Sequence, residues 1–219
     1  MKLFIFDVDG TLVDSQAMIV NAMTDGYAAA GLAAPARSDV LSIVGRSLPE
    51  AVADLLPEAD PATRARVVEG YKAGFFARRA QGEDMPLYPG AQDCLTALDQ
   101  GDWLLGMATG KSRRGIKMML DTYGWRGRFV TTQAGDENPS KPAPEMLFQA
   151  LRATGVDARD AVMIGDTVFD IQMGVAAGLA VFGVAWGYHP ADALMDAGAR
   201  LVAPDFPTLT RELQGWAHG

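Results

Sequence analysis

Leu3-Phe4-Ile5-Phe6-Asp7-Val8-Asp9-Gly10-Thr11-Leu12-Val13-Asp14-Ser15 opens with four bulky apolar residues and stops at two carboxylates one residue apart. Four apolar residues in succession suit a strand covered on both faces, as in a parallel sheet. In extended chain, residues i and i+2 point to the same side, so Asp7 and Asp9 can face one site beyond the strand's end. Neighbouring carboxylates repel and lose hydration, an arrangement usually met by a cation or a shared proton. Gly10 then permits a sharp turn. The pattern reads as a place for a hard metal ion and a nucleophile.

Beyond Ser15 the character changes. Residues 16–84 carry no strong strand signal and read as helices separated by Pro and Gly, at about 16–30, 39–44, 49–55 and 61–82. From Pro86 onward helix and strand alternate: helices at 91–99, 112–123, 144–154, 169–177, 191–197 and 206–216, strands at 103–108, 129–131, 161–164, 180–184 and 201–202. Such alternation implies βαβ units and an α/β fold with a doubly wound parallel sheet, to which the first strand must belong. Residues 1–15 and 85–219 would then form the core, with 16–84 inserted as a helical domain.

Composition narrows the function. The chain of 219 residues is 49% hydrophobic, enough for a packed core, and its net charge of -8 without a basic stripe argues against nucleic acid as a partner. A single cysteine, Cys94, excludes an intrachain disulfide and reads as a small packed side chain. Met1-Lys2 runs straight into the first strand, and no apolar run reaches the roughly 18 residues of a membrane span, so a cytoplasmic protein off the membrane is expected.

Three further strand ends carry chemistry. Thr109 closes an apolar run and leads through Gly110 and Lys111 to Ser112, a candidate helix cap. Such a turn offers a hydroxyl and free N–H groups to an anion. It is not a nucleotide P-loop, because three residues rather than four separate Gly106 from Gly110. Lys141 is pinned between prolines before a helix. Asp166 and Asp170 follow the apolar strand ending at Gly165, where open α/β sheets place their ligand crevice.

Taken together, Asp-Val-Asp-Gly-Thr-Leu-Val-Asp-Ser, Thr109, Lys141 and Gly-Asp-Thr-x-x-Asp resemble the four motifs of the haloacid dehalogenase superfamily, in its phosphoglycolate-phosphatase and β-phosphoglucomutase-like branch. The resemblance implies a phosphatase acting on a small phosphorylated metabolite through an aspartyl-phosphate. Asp7 would be the nucleophile and Asp9 the general acid and base. Mg²⁺ would be held by Asp7, the backbone carbonyl of Asp9 and Asp166, with Asp170 behind them or orienting Lys141. Thr109, Gly110 and Lys141 would bind the phosphoryl oxygens, and residues 16–84 would be the cap. In the cap, Arg46 is the candidate for meeting a substrate carboxylate or second anion. His189 and His218 receive no catalytic role. Haloacid dehalogenation is disfavoured by the presence of Asp9. A phosphosugar mutase shares all four motifs, and a non-catalytic relative would be expected to have lost one of them.

Overall fold

In the computed structural model, which describes residues 1–101 and 103–219, six parallel strands form one sheet. They are β1 (Leu3–Phe6), β2 (Leu104–Thr109), β3 (Thr131–Ala134), β4 (Ala161–Gly165), β5 (Ala180–Val184) and β6 (Leu201–Ala203), in the order β3-β2-β1-β4-β5-β6. The helices are α1 (Gln16–Ala29), α2 (Arg37–Ser42), α3 (Leu48–Leu55), α4 (Pro61–Ala80), α5 (Ala91–Asp99), α6 (Arg113–Thr122), α7 (Glu145–Thr154), α8 (Val168–Ala176), α9 (Ala191–Asp196) and α10 (Phe206–His218).

The alternation along β1 shows how the sheet is covered. Phe4 and Phe6 enter an apolar cluster with Leu95 and Cys94 of α5, Ile116 of α6 and Leu209 of α10. Leu3 and Ile5 enter another with Leu147 of α7, Ile171 of α8 and Leu194 of α9. Both faces are buried, which is why the strand reads as an unbroken apolar run. The expected doubly wound sheet is present. Helices α1–α4 build a further cluster of their own from Ile19, Met23, Val40, Val52 and Val67. The two chain crossings at its base are tied together, with Asp14 N–H donating to Pro86 O at 2.8 Å and Tyr88 N–H to Leu12 O at 3.1 Å.

One strand sits elsewhere than expected. β3 covers Thr131–Ala134 rather than 129–131. It is an edge strand whose one partner is β2, so the polar run Thr-Thr-Gln is tolerated there, while Phe129 packs into the core before the strand begins. Ser112 caps α6 as anticipated, accepting from Gly115 N–H at 3.2 Å.

Candidate active site

Strand order reverses direction at β1, and the crevice beyond the carboxyl ends of β1 and β4 is where such sheets bind ligands. Asp7 extends β1 into that crevice, its N–H donating to Ile164 O of β4 at 2.9 Å. The carbonyl of Val8 then accepts from the N–H groups of Thr11, Leu12 and Val13, closing a tight turn. Gly10 sits in it with φ +84°, and a Cβ there would stand 2.2 Å from Asp166 Oδ2. Left-handed backbone and proximity both demand glycine.

Four charged side chains converge beneath this turn without solvent exposure. Lys141 Nζ lies 2.6 Å from Asp170 Oδ1 and 2.9 Å from Asp7 Oδ1. Asp7, Asp166 and Asp170 each present an oxygen within 4.8 Å of the others. Asp166 is fixed by Thr11 Oγ1, donating to Oδ1 at 2.8 Å, and by Tyr188 N–H, donating to Oδ2 at 2.9 Å. Asp170 is fully engaged, since its Oδ2 accepts from Thr167 N–H and Oγ1 in a capping box at the start of α8. Neither oxygen of Asp7 makes a hydrogen bond of good geometry among the described residues.

Three carboxylates against one ammonium leave an excess of negative charge. Burial pushes Asp7 up to about 7, against the pull of Lys141. Burial, then the charges of Asp170 and Asp7, raise Asp166 well above the usual carboxylate range. Burial would lower Lys141, but Asp170 and Asp7 outweigh it and hold the ammonium firmly protonated. A buried carboxylate with unmet oxygens beside a second one is a donor set suited to a hard divalent cation.

Asp9 faces a different way. Its Oδ1 accepts from Ser15 Oγ at 2.5 Å and pairs with Lys111 Nζ at 2.7 Å, and Ser15 Oγ meets Tyr188 Oη at 2.9 Å. The engagement of Ser15 explains why it does not cap α1. Asp7, Asp9, Thr109 and Gly110 line a cavity of about 490 Å³ between the sheet edge and α1, α3 and α4. Its walls are mainly apolar, with Met23, Tyr71, Phe75, Met85 and Met118 among them. The loop after α2 reaches the sheet edge: Gly45 and Arg46 carbonyls pack on Gly110, and Ser47 N–H donates to Ser140 Oγ at 2.8 Å. His189 links the same segments. Val168 N–H donates to its Nδ1 at 3.1 Å, so Nε2 carries the hydrogen toward Ser42 O at 3.2 Å.

The structure thus brings Asp7, Lys141, Asp166 and Asp170 into contact, with Asp9, Thr109 and Gly110 on the cavity beside them. Arg46 also lines the cavity, but its guanidinium pairs with Asp54 at 2.8 Å and Glu50 at 3.5 Å. Lys111, Ser15, Thr11 and Tyr188 have roles in the geometry that spacing did not reveal; Thr11 and Ser15 stand within the first motif and Lys111 is the cation of the turn after β2, while Tyr188 had no signal.

Residues 4–184 match the family described as haloacid dehalogenase-like hydrolase. The chain is 32% identical to "Probable phosphatase IndB" of Dickeya dadantii over 99% of this chain and 93% of that one. It is 30% identical to a phosphoglycolate phosphatase of Agrobacterium fabrum, over 96% and 91%. A hydrolase from Pseudomonas syringae shares the fold, with a TM-score of 0.87 at 23% identity, covering 98% of this chain and 99% of the other.

Proposed function

The chain belongs to the haloacid dehalogenase-like hydrolases, and we propose that it is a Mg²⁺-dependent phosphatase that hydrolyses a small phosphomonoester through an aspartyl-phosphate on Asp7. The observation that carries this reading is the Asp7 carboxylate, buried at a sheet end, paired with the Lys141 ammonium at 2.9 Å but with no well-aligned hydrogen bond among the described residues, and lining a ligand-sized cavity. The names of the relatives support the reaction class.

In the first step an Asp7 oxygen bonds to phosphorus in line with the ester oxygen, whose bond to phosphorus breaks. Asp9, at the cavity wall, gives that oxygen its proton. In the second step Asp9 takes a proton from water as the water oxygen attacks phosphorus, releasing inorganic phosphate and restoring Asp7. Thr109 Oγ1, Gly110 N–H and the Lys141 ammonium hold the non-bridging oxygens as their charge grows. Asp170 positions Lys141 through the 2.6 Å contact. The side chains of Asp7 and Asp166 and the backbone carbonyl of Asp9 would hold Mg²⁺, which supplies the positive charge that lets a phosphate dianion approach a carboxylate. Residues 16–84 act as a cap, with the contacts of Ser47, Gly110 and His189 supporting a closed position over the cavity.

Phosphoglycolate, for which the Agrobacterium relative is named, is the first substrate to test. Asp7→Asn should abolish phosphate release from it, because an amide of the same shape cannot attack phosphorus. Retention of a tenth of wild-type kcat would sink the role, since loss of a covalent nucleophile costs several factors of ten. Conversion of β-glucose 1-phosphate to glucose 6-phosphate faster than phosphate release would move the reading to a mutase.

A further inference from the structure

The cavity has two kinds of wall. Polar groups come from the loops at the sheet edge, and those on the loop after β3 are tied within the protein. Asp136 Oδ1 accepts from Arg113 N–H at 2.8 Å, Asn138 Nδ2 donates to Ala134 O at 3.0 Å, and Ser140 Oγ accepts from Ser47 N–H at 2.8 Å. The wall built by α4 is different. The rings of Tyr71 and Phe75 lie within 20° of parallel with centres 6.1 Å apart, and Phe76 stands edge-on to Phe75 at 5.9 Å. Met23 of α1, Met85, and Met118 and Met119 of α6 line the same space. Thioethers on flexible stems fit irregular apolar shapes and make favourable contacts with aromatic rings. The Tyr71 hydroxyl is the one oxygen that these side chains bring, and the mechanism above uses none of them.

Size points the same way. A cavity of about 490 Å³ falls in the range of about 300–1,000 Å³ that takes a drug-sized ligand, and phosphoglycolate has only two carbons with which to fill it. In the phosphatase reading, on which this inference rests, the leaving oxygen of the ester stands at Asp9. Lys111 Nζ lies 2.7 Å from Asp9 Oδ1 and 5.6 Å from the centre of the Phe75 ring, so the group on that oxygen is within reach of the rings. We propose that the wall of Tyr71, Phe75 and Phe76 is the subsite for the substrate's organic half, and that the substrate class is the phosphate esters of aromatic alcohols. An aryl group buries its whole surface against these rings and thioethers and meets the rings by edge or face. Sugar phosphates fit poorly, since one tyrosine hydroxyl cannot partner several sugar hydroxyls stripped of water.

Steady-state kinetics of the full chain on benzyl phosphate and ethyl phosphate test this, because the two alcohols leave with about equal ease and differ by the ring. The wild type should favour benzyl phosphate at least about tenfold in kcat/KM, since each buried CH₂ alone is worth about fourfold. It should also prefer benzyl phosphate to phosphoglycolate and to β-glucose 1-phosphate. Phe75→Leu and Phe76→Leu keep the wall apolar and remove a ring. Each should shrink the benzyl-to-ethyl ratio roughly 2- to 10-fold, mainly through KM, the size expected for an aromatic pair beyond its area. A wild-type ratio near one, or a preference for phosphoglycolate, overturns the proposal and leaves the phosphatase reading standing. So does a ratio unchanged in both variants. If neither variant folds, the wild type on cyclohexylmethyl phosphate decides: preference for the benzyl ester supports the proposal, and equal use overturns it. Failure of the wild type on every ester strikes the phosphatase reading itself, and this proposal with it.

Discussion

The ammonium of Lys141 meets two carboxylate oxygens, 2.6 Å to Asp170 and 2.9 Å to Asp7, and has no exposed surface of its own. Breaking a buried ion pair by removing one partner typically costs about 3–5 kcal/mol, because the charge left behind has no counter-ion. Lys141→Met should therefore lower the urea midpoint sharply at pH 7.5 in the presence of chelator. Part of the loss should return at pH 5, where Asp7 and Asp166, both held above the ordinary carboxylate range, take up protons. An equal midpoint for variant and wild type at both pH values would show that Lys141 does not balance this centre. At this scale the sequence was partly legible. Asp7, Asp166 and Thr109 stand where apolar runs stop, and that interruption marks them. Tyr188 carries no such mark: its contact with Ser15 spans 173 residues, and only the sheet brings the two together. Lys111 was hidden differently, inside a turn whose glycine spacing argued against a nucleotide and so drew attention from its cation.

Helices α1 and α4 approach closely enough that Gly26 and Gly70 touch. A Cβ on Gly70 would stand 2.6 Å from Ala29 Cβ and 2.9 Å from Gly26 Cα, neither of which can swing aside. On an exposed helix, Gly→Ala gains about 1 kcal/mol. Here overpacking, worth about 1–3 kcal/mol, opposes that gain and should exceed it. Gly70→Ala should thus lower the Tm of the chain, and a raised Tm would mean that the two helices do not pack as described. The same contact accounts for three glycines of α4 and α1 that look like faults in a helix until the partner is known, although both helices stand where the sequence places them, at 16–30 and 61–82. Strands with apolar runs ending in Asp or Thr were legible as strands, and their alternation with helices was enough for the doubly wound sheet. β3 was not, because an edge strand has one neighbour and can be built from Thr-Thr-Gln, which has no period and little hydrophobicity.

Across the whole molecule, a chain of net charge -8 folds its sheet so that three carboxylates meet one ammonium at the switch point. That arrangement places ligand binding against stability, and Asp7 shows the sign. Its carboxyl rises from the ordinary 3.8 to about 7 in the folded chain, chiefly by burial, so the fold disfavours the ionised form. As pH climbs from about 4 to 7 the unfolded chain releases this proton first, and stability falls through that window and stays low above it. Asp7→Asn keeps the shape and removes the charge. In chelator above pH 7 the variant should melt several degrees higher than the wild type, and the gap should close toward pH 4. A divalent cation that binds only the folded chain works in the opposite direction, adding about 2.7 kcal/mol at a hundred times its Kd. For a chain of this size that is a rise of about 5–10 °C. Mg²⁺ should therefore raise the wild-type Tm by such an amount while hardly moving Asp7→Asn, reversing their order. Thermal melts of the two proteins, in chelator and in millimolar Mg²⁺ at pH 5 and pH 8, read both effects at once. A variant less stable than the wild type in chelator at pH 8 would mean that the buried carboxylate does not strain the fold. A Mg²⁺ shift of equal size in both proteins would place the cation somewhere other than Asp7.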